Sequence, residues 1–544
     1  MKKRQTVKLA QVLALAALAS AAWPQLAAAQ HLKPLPHPVG APPGRASVLT
    51  SPQAASTPAS PWTALTNQPS FLVDGAASPI LLTDGTVLVQ DAGFPDWWRL
   101  TPDAHGSYVN GTWSQVASLP ATYSPLYHST AILPDGRLII EGGEYLLNAD
   151  QTDLVPSWTA KGAIYDPVAD SWTMVAPPPF FTGFGPFPQT IGDAQSTVLA
   201  NGTYMQANCC SKQTALLDAK TMTWTTTGTG KFDENDEEGW TLLPNGKVLT
   251  ADAYVGAYDP AGTASEIYDP ATGAWTPAGS TIAQLWDSAA TCGGRPAASF
   301  ETGPSVLRPD GTVFFAGANA CGASHTSIYD SATGVWTAGP DFPDSLGIAD
   351  GPAALEPNGK VLMMTSPAVF ESPSVFFEWD GSALSEVPGP PNAAGDSSFF
   401  GNMLVLPTGQ ILLTDFSNDI EIFTPAAGCE PEARHRPLVA FSPLVLQGGG
   451  SYEIFGFRFN GMSQAAAYGD DAQSATNFPL VRITNLRTGH VFYSRTHDHS
   501  SMAVASNKLV STHYDVAPQQ ERGLSKLEVV ANGIASPPVF VLVR

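Results

Sequence analysis

The sequence predicts an all-β fold: a seven-bladed β-propeller followed by a β-sandwich. Three observations carry this. A glycine-centred turn between two apolar runs recurs seven times. An Asp-led turn followed by a tryptophan recurs downstream of most of these turns. Both patterns stop near residue 437, where short alternating runs take over.

The turns centre on Gly85, Gly136, Gly202, Gly246, Gly311, Gly359 and Gly409, and Leu82-Thr-Asp-Gly85-Thr-Val-Leu88 shows their form. Asp-Gly or Asn-Gly between β-rich runs signals a hairpin, because a tight turn needs positive φ, which glycine adopts without steric cost. The glycines stand 51, 66, 44, 65, 48 and 50 residues apart. One hairpin per roughly 50 residues is the period of a propeller built from antiparallel sheets. The outer half of a blade is written in Ile164-Tyr-Asp-Pro-Val-Ala-Asp-Ser-Trp172, Leu217-Asp-Ala-Lys-Thr-Met-Thr-Trp224, Ile267-Tyr-Asp-Pro-Ala-Thr-Gly-Ala-Trp275 and Ile328-Tyr-Asp-Ser-Ala-Thr-Gly-Val-Trp336. Trp113 has the same part in the first blade, and Phe376-Phe-Glu-Trp379 is a degraded copy in the sixth. The seventh runs through Ile420-Glu-Ile-Phe423 without a Trp strand, while Trp62-Thr-Ala-Leu65 precedes the first hairpin. The N-terminal segment is therefore expected to supply the outer strand of the last blade, which removes two exposed sheet edges.

The domain limits follow. Basic Lys2-Lys3-Arg4, the apolar stretch from Leu9 to Ala22 and Ala27-Ala28-Ala29 read as a cleaved signal peptide over 1–29, too short for a membrane span. The expected destination is extracytoplasmic, secreted or periplasmic. Residues 30–61, rich in Pro, Ala and Ser, read as a linker. The propeller is placed at 62–429 and the sandwich at 437–544, where Tyr452-Glu-Ile-Phe455, Leu480-Val-Arg-Ile483 and Val539-Phe-Val-Leu542 have strand alternation. A net charge of −22 over 544 residues argues against nucleic acid and anionic membrane as partners. No span and a monomeric state are expected. Of the five cysteines, Cys292 and Cys321 flank the fifth hairpin and are expected to pair. The pairing of vicinal Cys209-Cys210 and of Cys429 stays open, and no Cys/His spacing supports a zinc site.

The repeated Tyr-Asp turn and Trp, with the glycine pair of Glu141-Gly142-Gly143, resemble the kelch repeat. A signal peptide, a kelch propeller and a C-terminal immunoglobulin-like (early-set) sandwich together resemble the galactose oxidase and glyoxal oxidase family over residues 62–544. The resemblance implies a copper radical oxidase whose copper is held by two tyrosines and two histidines, one tyrosine being cross-linked to a cysteine. Carried over, the first tyrosine is Tyr127 and the last histidine, from a loop of the C-terminal domain, is His497. The cysteine position is Ala76, and the second tyrosine and its adjacent histidine fall on Phe399 and Phe400. Two donors of four are too few for the tetragonal nitrogen and oxygen set that copper(II) prefers, so copper is disfavoured.

Counting back from each turn glycine locates the start of every inner strand, at one mouth of the central channel. The positions hold Ala76, Tyr127 with His128, Asp193, Glu237 with Glu238, Glu301, Asp350, and Phe399 with Phe400. Four consecutive blades offer carboxylates and the opposite side is aromatic. His497 and His499 share one face of an extended loop and are expected to approach this mouth. Solvation of a wet channel is one reading of the carboxylates. Calcium or another divalent cation is a second, and acid–base work on a ligand hydroxyl a third. Asp470 and Asp471, in Tyr468-Gly469-Asp470-Asp471, read either as a tight acidic turn or as support for the His497 loop. The function expected is binding of a saccharide or other small polar ligand at this mouth. The alternatives are an alcohol or aldehyde oxidase producing hydrogen peroxide, and an envelope scaffold for protein interactions.

Overall fold

The computed structural model describes residues 60–253, 259, 261–287, 291–292, 295–296, 300–319, 322–426, 430–471 and 473–544. The expected signal peptide and nearly all of the linker lie outside them, as do Cys429 and Cys321, and with Cys321 the Cys292–Cys321 pairing. The described chain is all-β, with only short 3-10 turns as helix. Among the described residues no helix is long and apolar enough to cross a membrane.

Each glycine turn opens one antiparallel sheet. The inner strands are Ala76–Leu81, Ser129–Ile132, Ser196–Val198, Thr241–Leu242, Ser305–Leu307, Ala353–Leu355 and Asn402–Val405, and each heads a sheet of at least four strands. All seven turn glycines have φ between +76° and +90°. In the first turn Leu82 N–H donates to Thr86 O and Gly85 N–H to Leu82 O. This is a three-residue hairpin loop in which the left-handed residue follows a type I turn, so the glycine sits where an L side chain would be strained. The Asp-led turns close on their own carboxylates: Asp166 Oδ1 accepts from the N–H groups of Val168 and Ala169 at 2.8 and 3.2 Å.

The outer tryptophans link successive sheets. Trp172 Nε1 donates to Ala117 O and Trp224 to Ala176 O, just past the outer strand of the preceding sheet, and Trp336 to Ala278 O, within that strand. Trp62–Ala64 pairs antiparallel with Glu421–Phe423 and becomes the outer strand of the seventh sheet. Trp62 Nε1 then donates to Pro388 O, beyond the outer strand of the sixth, and Trp113 to Asn67 O, beyond the outer strand of the seventh. The first sheet thus takes the last as its predecessor, and the order is circular.

Most strands of residues 438–543 join in one nine-stranded sheet, in which Val491–His497 pairs with Leu480–Asn485 over one part of its length and with Leu509–Asp515 over the other. Ile454, Val481, Ile483, Leu527, Val529 and Val541 form its buried apolar cluster, all nearly inaccessible.

Candidate functional site

The site is built around residues 463–478, which leave the C-terminal domain between the strands Ser451–Phe457 and Leu480–Asn485. This loop touches all seven sheets. Ala466 and Ala467 pair with Ala354 and Ala353, adding a strand to the inner edge of the sixth sheet, and pack on the inner strand of the fifth. Gln464 accepts from Leu242 N–H and donates to Thr197 Oγ1. Thr130 Oγ1 donates to Gln473 O, Ser474 Oγ to Pro79 O and Tyr468 Oη to Phe399 O. A segment that meets the innermost strand or its approach in every sheet runs along the central axis.

Its tip, Tyr468 to Asp471, arrives at the strand-start end. Gly469 is required there, because a Cβ would collide with the Asp350 carboxylate. Asp193, Glu237 and Asp470 each present an oxygen, all within 4.8 Å of one another, and so do Glu237, Glu301 and Asp350. Glu237 belongs to both sets. Five carboxylates from four sheets and the loop therefore converge, and none of the five is more than 2% exposed. They are not a solvated surface. Burial first, then the charge of Glu301 and a hydrogen bond with it, then Asp470 and Asp193, push the Glu237 carboxyl well above its ordinary range. Carboxyl groups buried this close together favour the protonated form, so Glu237 is disposed to hold a proton when no cation neutralises the cluster.

Backbone strain marks the same place. Tyr127, Glu237 and Asp350 have φ of +53°, +56° and +44°. Such left-handed conformations cost non-glycine residues of order 1 kcal/mol or more and persist where the surroundings impose them.

The opposite side is aromatic. Tyr127 packs edge-on against Tyr145 and Phe416, and Phe399 lies against Phe370 and Phe400 at 5.0 and 4.4 Å.

Three sequence expectations are corrected by position. Glu238 does not face the cluster of Glu237. It belongs to a fully buried cage in which Lys231 Nζ meets Asp233, Glu238 at 3.2 Å, Asp252 at 3.7 Å and Glu266 at 2.8 Å. Glu237, at a left-handed φ ahead of the inner strand, and its neighbour Glu238 thus point into different clusters. One ammonium cannot balance four carboxylates. Burial, followed by the other acids of the cage, holds Glu238 and Asp252 above the usual carboxylate range despite Lys231.

His128 is a buried framework residue whose Nε2–H donates to Gln90 Oε1 at 2.9 Å, and burial lowers its pKa to about 4.

His497 and His499 do not approach the mouth. Thr496 N–H donates to Thr83 O and His499 N–H to Pro134 O, beside the turns of Gly85 and Gly136. Those turns lie at the far end of the inner strands, about 20 Å along a seven-residue run. His497 sits between Asp498 and Asp515 at 2.8 and 3.3 Å. His499 bonds Thr512 Oγ1 and is pulled to about 3, by burial first.

Asp470 is the residue that sequence reasoning missed in this role. A signal existed: more than twenty residues without strand alternation separate two strands of a small domain, and a loop of that length is usually functional.

Comparison with known proteins adds the following. No family model matches the chain. Kelch-like protein terF of Aspergillus terreus is 30% identical over 125 residues, 22% of this chain and 25% of that protein, so the chain matches about a quarter of that relative's length. Among solved structures, a fungal alcohol oxidase of the AA5 family in complex with copper is 14% identical. The match covers 89% of this chain and 98% of that one, with a TM-score of 0.46. A streptogramin B lyase is 11% identical, over 66% of this chain and 96% of that one, with a TM-score of 0.44. The chain resembles the kelch-type, galactose-oxidase-like proteins. Of the residues that the sequence reading set against a copper site, Ala76, Tyr127 and Phe399 are all buried.

Proposed function

We propose that this chain is an exported, seven-bladed galactose-oxidase-like kelch propeller with a C-terminal immunoglobulin-like sandwich, and that it lacks the copper radical site. It binds a saccharide or similar polyhydroxylated ligand with a hard divalent cation, calcium foremost, at the strand-start mouth. One observation carries the reading: five buried carboxylates converge on Glu237. Carboxylate oxygens suit calcium, which takes six to eight oxygen donors, and supply none of the imidazole nitrogens of a copper radical centre. Burying several negative charges together costs many kcal/mol unless protons or a cation neutralise them. The aromatic half of the mouth, with Tyr127, Phe399 and Phe400, offers faces for the apolar side of a sugar ring, while a bound cation takes its hydroxyl oxygens. Residues assigned here are Asp193, Glu237, Glu301, Asp350 and Asp470 for the cation and Tyr127 and Phe400 for the ligand.

The test is metal analysis of the purified mature protein, with calcium titration, thermal melts over a saccharide panel and peroxide detection with sugars and aldehydes. About one calcium per chain and a saccharide-dependent rise in Tm support the reading. One tightly held copper per chain with peroxide production overturns it.

A further inference from the structure

Cys209 and Cys210, adjacent in sequence, are bonded to each other. The ring this makes lies between the two chain segments that carry Asp193 and Glu237. On one side Cys209 N–H donates to Ile191 O at 2.9 Å. Gly192 stands so close that a Cβ there would come within 2.8 Å of Cys209 Cβ and 3.1 Å of its Sγ. Asp193 follows directly. On the other side Asn235 N–H and Nδ2 donate to Ser211 O at 2.7 and 2.9 Å, and Nδ2 also to Gln213 O. A carboxylate oxygen of Asp236 lies within 4.8 Å of both sulfurs, and Glu237 comes next. Cys210 itself has φ +62°, a left-handed conformation that an unconstrained cysteine disfavours.

We propose that the Cys209–Cys210 ring is a covalent brace that holds Asp193 and Glu237 at cation-binding separation, and that reducing it weakens divalent-cation binding at the mouth. This rests on the cation reading given above. Reduction by a dithiol breaks the S–S bond: two electrons and two protons pass to Cys209 and Cys210, giving two thiols, and the dithiol leaves as its cyclic disulfide. Cys210 is then free to relax from its left-handed φ. The 209–213 segment moves with it, and through Ile191 and Asn235 so do the backbones of Asp193 and Glu237.

Calcium affinity is measured by isothermal titration on the full mature chain: as purified, after dithiothreitol, after reoxidation, and on the double variant Cys209→Ser/Cys210→Ser with and without dithiothreitol. The expected result is a Kd at least tenfold weaker on reduction, restored on reoxidation. The double variant should match the reduced protein and ignore dithiothreitol, which separates this pair from the other three cysteines. The unfolding midpoint of the calcium-free protein should be nearly the same in all forms, which a merely structural bond would not give. Tight calcium binding that is the same in oxidised, reduced and variant protein overturns the brace and leaves the cation site standing. Absence of calcium binding in the oxidised protein overturns both.

Discussion

Trp62 gives a sharp test of circular closure. Only 7% of the residue is exposed, its ring packs edge-on against Phe376 and Phe423 at 5.1 and 5.2 Å, and its Nε1–H donates to Pro388 O at 2.6 Å. Trp62→Phe keeps an aromatic body but removes the donor and leaves a partly buried carbonyl without this partner. That costs about 1–2 kcal/mol. Trp62→Ala removes the ring as well, and with it the edge-on packing against both phenylalanines, so the expected cost is about 3–5 kcal/mol. Trp113 makes the same kind of bond to Asn67 O in a more exposed setting, so Trp113→Phe should cost under about 1 kcal/mol. Equilibrium urea unfolding followed by circular dichroism measures all three. The ordering Trp62→Ala, Trp62→Phe, Trp113→Phe, with one cooperative transition, is expected. A Trp62→Ala protein within about 1 kcal/mol of wild type would show that the N-terminal strand does not close the ring.

The other predictions concern the buried charges. Glu237 has a raised folded pKa, so the native state keeps a proton that the unfolded chain gives up above its ordinary carboxyl value of 4.5. Without cation, stability should therefore fall as pH rises from that value, by about 1.4 kcal/mol per pH unit for this proton. Glu237→Gln removes this titration, so the slope of unfolding free energy between pH 5.5 and 7.5 in chelator should be shallower by about that amount; equal slopes would refute the retained proton. Lys231→Met leaves four buried carboxylates without their ammonium and should cost about 3–5 kcal/mol in urea unfolding. Gly469→Ala forces a methyl against Asp350 and should weaken calcium binding about tenfold, roughly 1.4 kcal/mol, in titration calorimetry.

The sequence carries the fold well because its signals are local. A turn glycine, an Asp that caps its own turn and a Trp one strand later each depend on a few neighbouring residues. The absence of a Trp strand after Phe423, set beside the spare Trp62, pointed to the partner that the structure pairs with it. The site was legible only in part. Counting back from the turns reached Asp193, Glu237, Glu301 and Asp350, since each precedes its inner strand by a few residues. The same count could not separate Glu237 from Glu238, because that choice rests on a left-handed φ imposed by tertiary contacts. The family resemblance, in turn, favoured His497 over Asp470. A short histidine-rich motif is visible in one dimension, whereas the path of residues 463–478 through the axis exists only once seven inner strands surround it.

That path has a consequence for the mouth as a whole. Asp470 belongs to the C-terminal domain, while Asp193, Glu237, Glu301 and Asp350 belong to four different sheets. A cation held by this set adds to the hydrogen bonds of Gln464, Tyr468, Gln473 and Ser474, the short pairing of Ala466 and Ala467, and the contacts of Thr496 and His499 that already join these parts of the chain. Its binding free energy is therefore also a domain-docking free energy: at a concentration 100-fold above Kd it adds about 2.7 kcal/mol to any opening that withdraws the loop. Withdrawal would also take the charge of Asp470 away from Glu237. Hydrogen exchange at Ala466 and Ala467 should then slow by about 100-fold in saturating calcium, while amides of the C-terminal core around Val481 and Val529 are expected to change much less. Uniform slowing across both would show that the cation stabilises the whole fold rather than the seat of the loop.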